Sequence, residues 1–186
     1  MDDSHTRQFG NTVNVTTFSS DSDRKAQLLN LVKQSPGIRY RELLRMTGLS
    51  NGVLTHHLKG MEECKAIRTD RQSGSTRYYP SDISENEYNL LPFIRHDVTR
   101  QILLFILDHD LCTFSEIVEH TKNFPSTISS HLKRLREARI LHVHFGERHQ
   151  MYRIVNREVV IDVLAKYRAS FVDKAVDSYV NFIDEI

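Results

Sequence analysis

The sequence predicts a mainly α-helical chain with small β-hairpins, built from two copies of one small domain and a long C-terminal helix. A stretch of the chain repeats 74 residues further on, and both copies show the same order of helical and hairpin patterns. In addition, residues 157–186 contain neither glycine nor proline, and their apolar residues recur at helical spacing.

The repeat aligns residues 37–78 with residues 111–152 without a gap. Several positions keep an apolar residue, and others are identical. The identical pairs are Glu42/Glu116, Thr47/Thr121, His57/His131, Leu58/Leu132, Lys59/Lys133, Glu63/Glu137 and Tyr78/Tyr152. Gapless agreement over this length indicates two copies of one domain.

Each copy contains signals for three helices and a hairpin. In the first copy, Asp23 is predicted to cap the first helix, Gly48 to end the second and Ser50 to cap the third. The segments on either side of Ser73 and Gly74 predict a β-hairpin. Helix, helix, turn, helix and hairpin in this order form a winged helix-turn-helix (HTH) domain.

The second copy repeats these signals, with Pro125 in the first turn of its third helix. Between the copies, Ser84 and Glu87 match a capping box, and Pro92 is predicted to break the chain. The predicted parts are a flexible tail at 1–21, a first winged HTH domain at 22–80, a linker with a short helix at 81–94, a second winged HTH domain at 95–155 and a C-terminal helix at 156–186.

Charge is distributed in blocks although the net charge is only +1. Residues 39–80 carry +4 and residues 122–157 carry +6, whereas residues 81–121 carry −6 and residues 158–186 carry −3. Two basic segments between acidic ones indicate two surfaces that meet a polyanion.

Motifs of other protein classes are missing from the sequence. It has no glycine-rich phosphate loop, nucleophile elbow or His-Glu-x-x-His motif, so it does not predict an enzyme. It also has no secretion signal pattern and no apolar run of about 18 residues, so we expect a cytoplasmic protein without membrane association.

The third helix of an HTH domain lies in the DNA major groove, and the wing touches the backbone or the minor groove. Small polar side chains with few acids on that helix therefore indicate DNA contacts. The predicted recognition helices are about 50–63 and 125–138. The predicted DNA-binding residues are Ser50, Asn51, Gly52, Thr55, His56, Lys59, Arg71, Arg77, Ser126, Thr127, Ser129, Ser130, Lys133, Arg134, Arg148 and Arg153.

Some residues near these helices have alternative roles. Arg77 and Arg153 could brace their hairpins instead of contacting DNA. His57 and His131 precede buried leucines, so we expect structural roles for both. The first copy is predicted to bind DNA more weakly, because Glu62 crowds the end of its third helix.

Both third helices also resemble a known family. The segments LSNGVLTHHL (49–58) and STISSHLKRLREA (126–138) are similar to the recognition-helix signature of ArsR/MarR-like winged-helix regulators. The resemblance covers about 40 residues of each copy and implies transcription regulation through double-stranded DNA. Two fused copies followed by a helix resemble an arrangement common in archaea. The Cys-x-Cys metal box of ArsR proteins is missing, so neither a metal nor another cofactor is implied.

The C-terminal segment is predicted to form one helix after Asn156, about 45 Å long at 1.5 Å per residue. One winged helix cannot cover such a length, so the apolar stripe needs a second chain or the other domain. We expect a homodimer, with a monomeric pseudo-dimer as the alternative. The predicted dimerisation residues are Val160, Leu164, Tyr167, Phe171, Tyr179 and Phe182.

Two other functions stay open on the sequence alone. Winged helices also act as protein–protein adaptors, and a partner in the transcription machinery is an alternative to DNA. A metal- or redox-responsive regulator is the other, since several histidines and a cysteine could converge on an ion. Those residues are His109, Cys112, His120, His142, His144 and His149.

Overall fold

The computed structural model describes residues 20–71, 75–146 and 149–171. Predictions for residues 1–19, for Ser73 and Gly74, for Arg148, and for Tyr179 and Phe182 lie outside these residues. The elements of the first half are α1 (Asp21–Gln34), β1 (Ile38–Arg39), α2 (Tyr40–Thr47), α3 (Asn51–Glu63), β2 (Ile67–Asp70), β3 (Arg77–Pro80) and α4 (Glu85–Ile94). Those of the second half are α5 (Asp97–His109), β4 (Cys112–Thr113), α6 (Phe114–Thr121), α7 (Pro125–Glu137), β5 (Leu141–Phe145), β6 (Gln150–Ile154), α8 (Arg157–Tyr167) and a 3-10 turn (Arg168–Ser170).

Two winged HTH domains follow one another, as the sequence predicts. Each has three helices and a three-stranded antiparallel sheet, with strand order β1-β3-β2 in the first and β4-β6-β5 in the second. Strands β1 and β4 were not predicted, because two residues are too short to show an alternating pattern.

The repeat holds in three dimensions at the same spacing. Helices α2 and α6, and likewise α3 and α7, begin and end 74 residues apart. Ile38 pairs with Tyr78 in the first sheet, and Cys112 pairs with Tyr152 in the second. The two chains of contacts therefore superimpose residue by residue.

Left-handed backbone also recurs at equivalent positions. Gly48 (φ 65°) ends α2 and Lys122 (φ 52°) ends α6, while Lys65 and Arg139 both have φ 57° after the third helices. The domain geometry thus requires a positive φ at each turn, and only Gly48 meets that requirement without a side-chain penalty.

Helix caps follow the sequence signals with one exception. The Ser50 side chain accepts a hydrogen bond from the Val53 backbone N–H at 3.4 Å, as predicted. Helix α1, however, begins at Asp21 and is capped by Ser20, which accepts from the Asp23 N–H at 3.2 Å. The predicted Asp23 cap is wrong, because an acid in the first turn and a true cap look alike in sequence.

Helix α4 is longer than predicted. The capping box is confirmed, since the Glu87 N–H donates to the Ser84 hydroxyl and the Ser84 N–H donates to the Glu87 carboxylate at 3.0 Å. Pro92 does not end the helix, which continues to Ile94. Near a helix C-terminus a proline removes a single backbone hydrogen bond, and the burial of Ile94 holds the last turn in place.

The segment predicted as a linker contributes to the larger core. Leu90, Leu91 and Ile94 of α4 are buried together with side chains of α5 and α8. A separate, smaller core lies under the first sheet and centres on the buried Leu54 and Leu58 of α3. Helix α4 is therefore a packed element of the second half of the molecule.

The C-terminal helix differs from its prediction in length and in contacts. Helix α8 ends at Tyr167 and a 3-10 turn follows, so the uninterrupted helix is wrong within the described residues. The predicted dimerisation residues Val160, Leu164, Tyr167 and Phe171 are at most 7% exposed in a single chain. Their assignment to a dimer interface is corrected, because α4 and α5 of the same chain cover them.

A buried carboxylate fastens α8 to α4. Glu87 accepts hydrogen bonds from the Lys166 ammonium at 2.5 Å and from the Tyr167 hydroxyl at 2.8 Å. Burial by itself raises the pKa of Glu87, but the hydrogen bonds from Lys166, Ser84 and Tyr167 outweigh it and hold the pKa at about 2.

This carboxylate makes stability depend on pH. At pH 7 we expect Glu87→Gln to lower the free energy of unfolding by about 1–3 kcal/mol. Since the folded pKa lies below the ordinary value of 4.5, the contribution is complete above 4.5 and is lost as the pH falls towards 2. Urea unfolding at pH 7, 4 and 3 should therefore show the difference from wild type shrinking. The control is Glu119→Gln, at an exposed carboxylate on α6; equal losses for both variants at pH 7 would contradict the assignment.

No helix in the three described ranges combines the length and the apolar character that a membrane crossing requires.

Candidate nucleic-acid interface

Helix α3 presents the face that the sequence predicts. Leu54, Leu58 and Met61 are buried in the first core. The opposite face exposes Asn51, Gly52, Thr55, His56 and Lys59, and the cap Ser50 is exposed too. The predicted residues therefore share one solvent-facing surface.

Helix α7 is oriented in the same way in the second domain. Ile128, Leu132 and Leu135 are buried in the larger core. Its outer face exposes Ser126, Ser129, Ser130, Lys133 and Arg134, while Thr127 is half-buried. Neither α3 nor α7 has an acidic residue in its first turn, so both positive helix ends are open to phosphate oxygens.

A groove runs between α7 and the wing of the second domain. It is lined by Phe114, Ser129, Leu132, Lys133, Arg136, Gln150 and Tyr152. Lys133 lies 3.9 Å from the Glu137 carboxylate, a weak contact across one helical turn. Arg136 is exposed and has no ion-pair partner in the part of the chain that the structure describes. This groove is basic.

The equivalent groove of the first domain is electrically compensated. Glu62 occupies the position of Arg136, 74 residues earlier. The Arg71 guanidinium donates to both Glu62 carboxylate oxygens, at 2.8 and 2.7 Å. This bond lowers the pKa of Glu62 and raises that of Arg71. The predicted wing cation Arg71 is thus already paired within the domain.

The two domains also differ beneath the recognition helix. The Tyr40 hydroxyl donates to the Asn51 carbonyl at 3.0 Å and lies 3.0 Å from the Thr55 hydroxyl. Phe114 replaces Tyr40 in the second domain and has no hydroxyl to offer. Ser129, the counterpart of Thr55, is therefore free to contact a ligand.

The predicted wing cations have different surroundings. Arg77 is only 6% exposed, and its guanidinium donates to the Gly37 carbonyl at 2.9 Å. Arg77 as a DNA contact is corrected, and the alternative, bracing of the hairpin, is confirmed. Arg153 is exposed on β6.

Sequence reasoning missed two exposed aromatic residues on the second domain. Phe124 precedes α7 and is 80% exposed, and Phe145 ends β5 and is 72% exposed. They occupy the positions of Ser50 and Arg71 in the first domain. Because the search was for polar and basic residues, neither was found, although the alignment of the two copies contains the signal. Arg136 was missed for a similar reason, since only the first part of each helix was considered.

The histidines on the recognition helices have structural roles, as predicted. His57 is buried, and its Nδ1 atom lies 3.4 Å from the Asp21 carboxylate. His131 is half-buried and shares a hydrogen bond of 2.9 Å with the Thr99 hydroxyl. Burial lowers the pKa of both rings.

Metal-binding geometry was also sought. Within residues 20–71, 75–146 and 149–171, no group of three or more His, Cys, Asp or Glu side chains is placed to hold a metal ion. The rings of His109 and His120 lie against Phe105, at 4.2 and 4.3 Å between centroids. Aromatic packing accounts for these two residues.

Family models match both halves of the chain. A model described as an N-terminal HTH domain matches residues 22–91, and the model of the bacterial regulatory protein arsR family matches residues 97–143. The chain carries two HTH domains in tandem. The second match ends inside the wing and covers α5, α6 and α7.

One curated relative and two solved structures are similar to parts of the chain. An HTH-type transcriptional regulator of Methanocaldococcus jannaschii is 24% identical over 86 residues, which are 46% of this chain and 22% of that protein. The chain thus matches about a fifth of that relative's length. The transcriptional repressor PagR of Bacillus anthracis is 24% identical, with a TM-score of 0.39 over 42% of this chain and 90% of that one. The repressor BigR from Xylella fastidiosa is 22% identical, with a TM-score of 0.40 over 46% of this chain and 87% of that one.

Proposed function

We propose that this tandem HTH protein is a transcription regulator that binds specific sites in double-stranded DNA, mainly through its second domain. The observation that carries the proposal is the basic groove beside α7, in which Lys133 and Arg136 face solvent next to small hydroxyl side chains. Cations on a groove contact phosphates, and small polar residues at the start of a recognition helix reach base edges.

The binding mode follows from the positions of the elements. Helix α7 lies in the major groove with Ser126, Ser129 and Ser130 nearest the bases. The wing of β5 and β6 lies along the adjacent backbone or minor groove, where Arg153 contacts phosphate. Arg148, in the turn of that wing, is proposed as a further contact from the sequence alone.

The first domain is a weaker DNA reader in this proposal. Its groove has one free cation, Lys59, because Glu62 neutralises Arg71. Ser50, Asn51, Gly52, Thr55 and His56 remain candidate contacts on α3.

An adaptor role for the first domain is the second candidate function. It is favoured by the same groove, which is lined by Tyr40, Leu58 and Tyr78 and whose Arg71 is already paired. Such a surface with little net charge suits a protein better than a polyanion.

Selection of genomic duplex fragments across a salt series tests the function. We expect affinity to fall steeply with salt, with the recovered fragments sharing one sequence pattern. Chain stoichiometry in the same complexes measures the proposed homodimer, and an inverted repeat in the fragments would support it. Absence of binding at low salt would overturn the DNA proposal and leave the adaptor role.

Phe124 gives a test of sequence reading. The residue makes no side-chain cap to α7 and exposes its ring, so it costs stability twice without a structural return. We expect Phe124→Ser to stabilise the fold by about 0.5–2 kcal/mol through a new cap. DNA affinity should fall about threefold to tenfold, because an apolar contact with a thymine methyl group is lost.

The control for this variant is Val155→Ser, at another exposed apolar residue of the second domain that does not belong to α7. It should leave DNA affinity unchanged. Thermal unfolding and a binding titration on the selected fragment measure both quantities. Unchanged affinity in Phe124→Ser would remove the residue from the interface.

A further inference from the structure

Buried polar side chains converge where the first domain meets α4. Arg77 and Tyr79 on β3 are 6% and 0% exposed, and the side chain of Arg95, directly after α4, is 11% exposed. All three surround Gly37. Arg77 donates to its carbonyl at 2.9 Å, and a Cβ atom on Gly37 would lie 3.2 Å from both the Tyr79 hydroxyl and the Arg95 Cδ atom.

Donors in this cluster lack acceptors. Arg77 Nε, Tyr79 Oη and Arg95 Nη1 are buried without a hydrogen-bond partner among the described residues, and Nδ1 of the neighbouring His96 is a fourth such atom. Seven buried side-chain atoms of this kind occur in the described part of the chain, so most of them gather at this one place. Buried polar groups are nearly always paired, and a concentration of unpaired donors indicates a missing acceptor.

Charge is out of balance at the same place. Only Glu42 faces the two guanidinium groups, at 3.3 Å from Arg95, and the same carboxylate oxygen also accepts the Arg39 backbone N–H at 2.9 Å. Burial lowers the pKa of Arg77 and Arg95, which reflects charge held away from water without sufficient compensation. Burial also raises the pKa of Tyr79 to about 12, so its hydroxyl stays protonated and can donate.

The fold itself does not require this cluster. The second domain has the same sheet, but Met151 stands in place of Arg77 and Arg153 in place of Tyr79. Met151 forms the matching strand pair with Thr113, so an apolar side chain satisfies the geometry. The buried arginine and tyrosine are a property of the first domain alone.

We propose that Arg77, Tyr79 and Arg95 bind a small oxyanion, either a phosphate or a carboxylate, between the first HTH domain and α4. Such an ion accepts several hydrogen bonds at once and supplies the negative charge that a water molecule lacks. Since the donors come from β3 and from the end of α4, the ion connects the wing of the first domain to the second half of the molecule.

Thermal unfolding of the full chain without DNA tests the site, with inorganic phosphate and acetate as separate probes against sodium chloride of equal ionic strength. A ligand of the folded state raises the unfolding midpoint in a saturable way, whereas general salt effects do not saturate. A rise with phosphate alone assigns a phosphate site, and a rise with acetate alone assigns a carboxylate site. No saturable rise with either anion overturns the proposal.

Variants locate the site. Arg95→Gln should abolish the saturable rise, and Tyr79→Phe should weaken anion affinity about tenfold, as expected for a bond to a charged group. The controls are Arg41→Gln, at an exposed arginine of α2, and Arg136→Gln in the DNA groove, and both should keep the rise. Loss of the response in Arg136→Gln with its retention in Arg95→Gln would place the ion in the groove and overturn the assignment.

Tyr79→Phe also separates the proposal from a purely structural role. Removing an unpaired buried hydroxyl is neutral or stabilising, so the variant should be at least as stable as wild type in anion-free buffer. If it is destabilised equally with and without anion, the hydroxyl serves folding alone and the site is refuted. Because no DNA is present, this result is independent of the proposed regulatory function.

Discussion

Arg136→Glu is expected to weaken DNA binding at least about tenfold, because it replaces a phosphate contact with a repulsive charge. The slope of log affinity against log salt should become shallower by about 0.9, the value for one phosphate contact. The variant gives the second domain the acid that the first domain has as Glu62. Filter binding or fluorescence anisotropy between low and physiological salt measures both quantities.

The reciprocal variant is Glu62→Arg. It removes the bidentate partner of Arg71 and adds a second free cation to the groove of the first domain. We expect a steeper salt dependence and tighter non-specific binding. The control is Lys33→Glu, on the exposed side of α1, which makes the same charge change as Arg136→Glu outside both grooves. An equal loss of affinity in Lys33→Glu and Arg136→Glu would mean that net charge, and not the groove, determines binding.

Lysines at equivalent positions rank the two domains without further assumptions. Lys59 and Lys133 occupy the same place on their helices, at 3.8 and 3.9 Å from a glutamate one turn on. Lys133→Glu combined with Arg134→Glu should abolish specific binding, while Lys59→Glu should reduce it less. Equal losses for Lys59→Glu and Lys133→Glu would contradict a leading role for the second domain.

Leu164→Ala is expected to lower the free energy of unfolding by about 2–5 kcal/mol, the usual range for emptying a well-packed site. Leu164 is buried on α8 against α4 and α5 of the same chain. The loss should therefore be independent of protein concentration. Urea unfolding at two concentrations a hundredfold apart measures this.

The control for this stability test is Met46→Ala, at an exposed methionine of α2, which should change stability by less than about 0.5 kcal/mol. If wild-type stability rises with concentration and Leu164→Ala abolishes that rise, the leucine contacts a second chain after all. This result would restore the dimer interface that the burial of Leu164 contradicts.

Local signals in the sequence were sufficient for most of the fold. Ser50 and Ser84 cap helices, Gly48 ends one and Pro125 begins another because each depends on a few neighbouring residues. The repeat then fixes the second domain from the first. The recognition helices and their exposed faces follow from helical periodicity alone.

Tertiary contacts determine what the sequence could not predict. The apolar stripe of α8 is the same whether a second chain or α4 covers it, so Leu164 could not be assigned from its pattern. Arg77 has the charge of a DNA contact, and only the approach of Gly37 across the sheet shows that it is buried. Likewise, the pairing of Arg71 with Glu62 joins residues of helix and wing that no local pattern connects.

Helix α4 packs against both halves of the molecule. Its Tyr88 ring lies 4.8 Å from the Tyr79 ring of the first wing and 3.6 Å from the Arg68 guanidinium, while Leu91 is buried in the second core. The helix therefore acts as a spacer that holds the two reading heads at a set distance and angle. A regulator built in this way measures the number of base pairs between two contact points. Inserting a base pair between them should penalise binding even when both contacted sequences are unchanged.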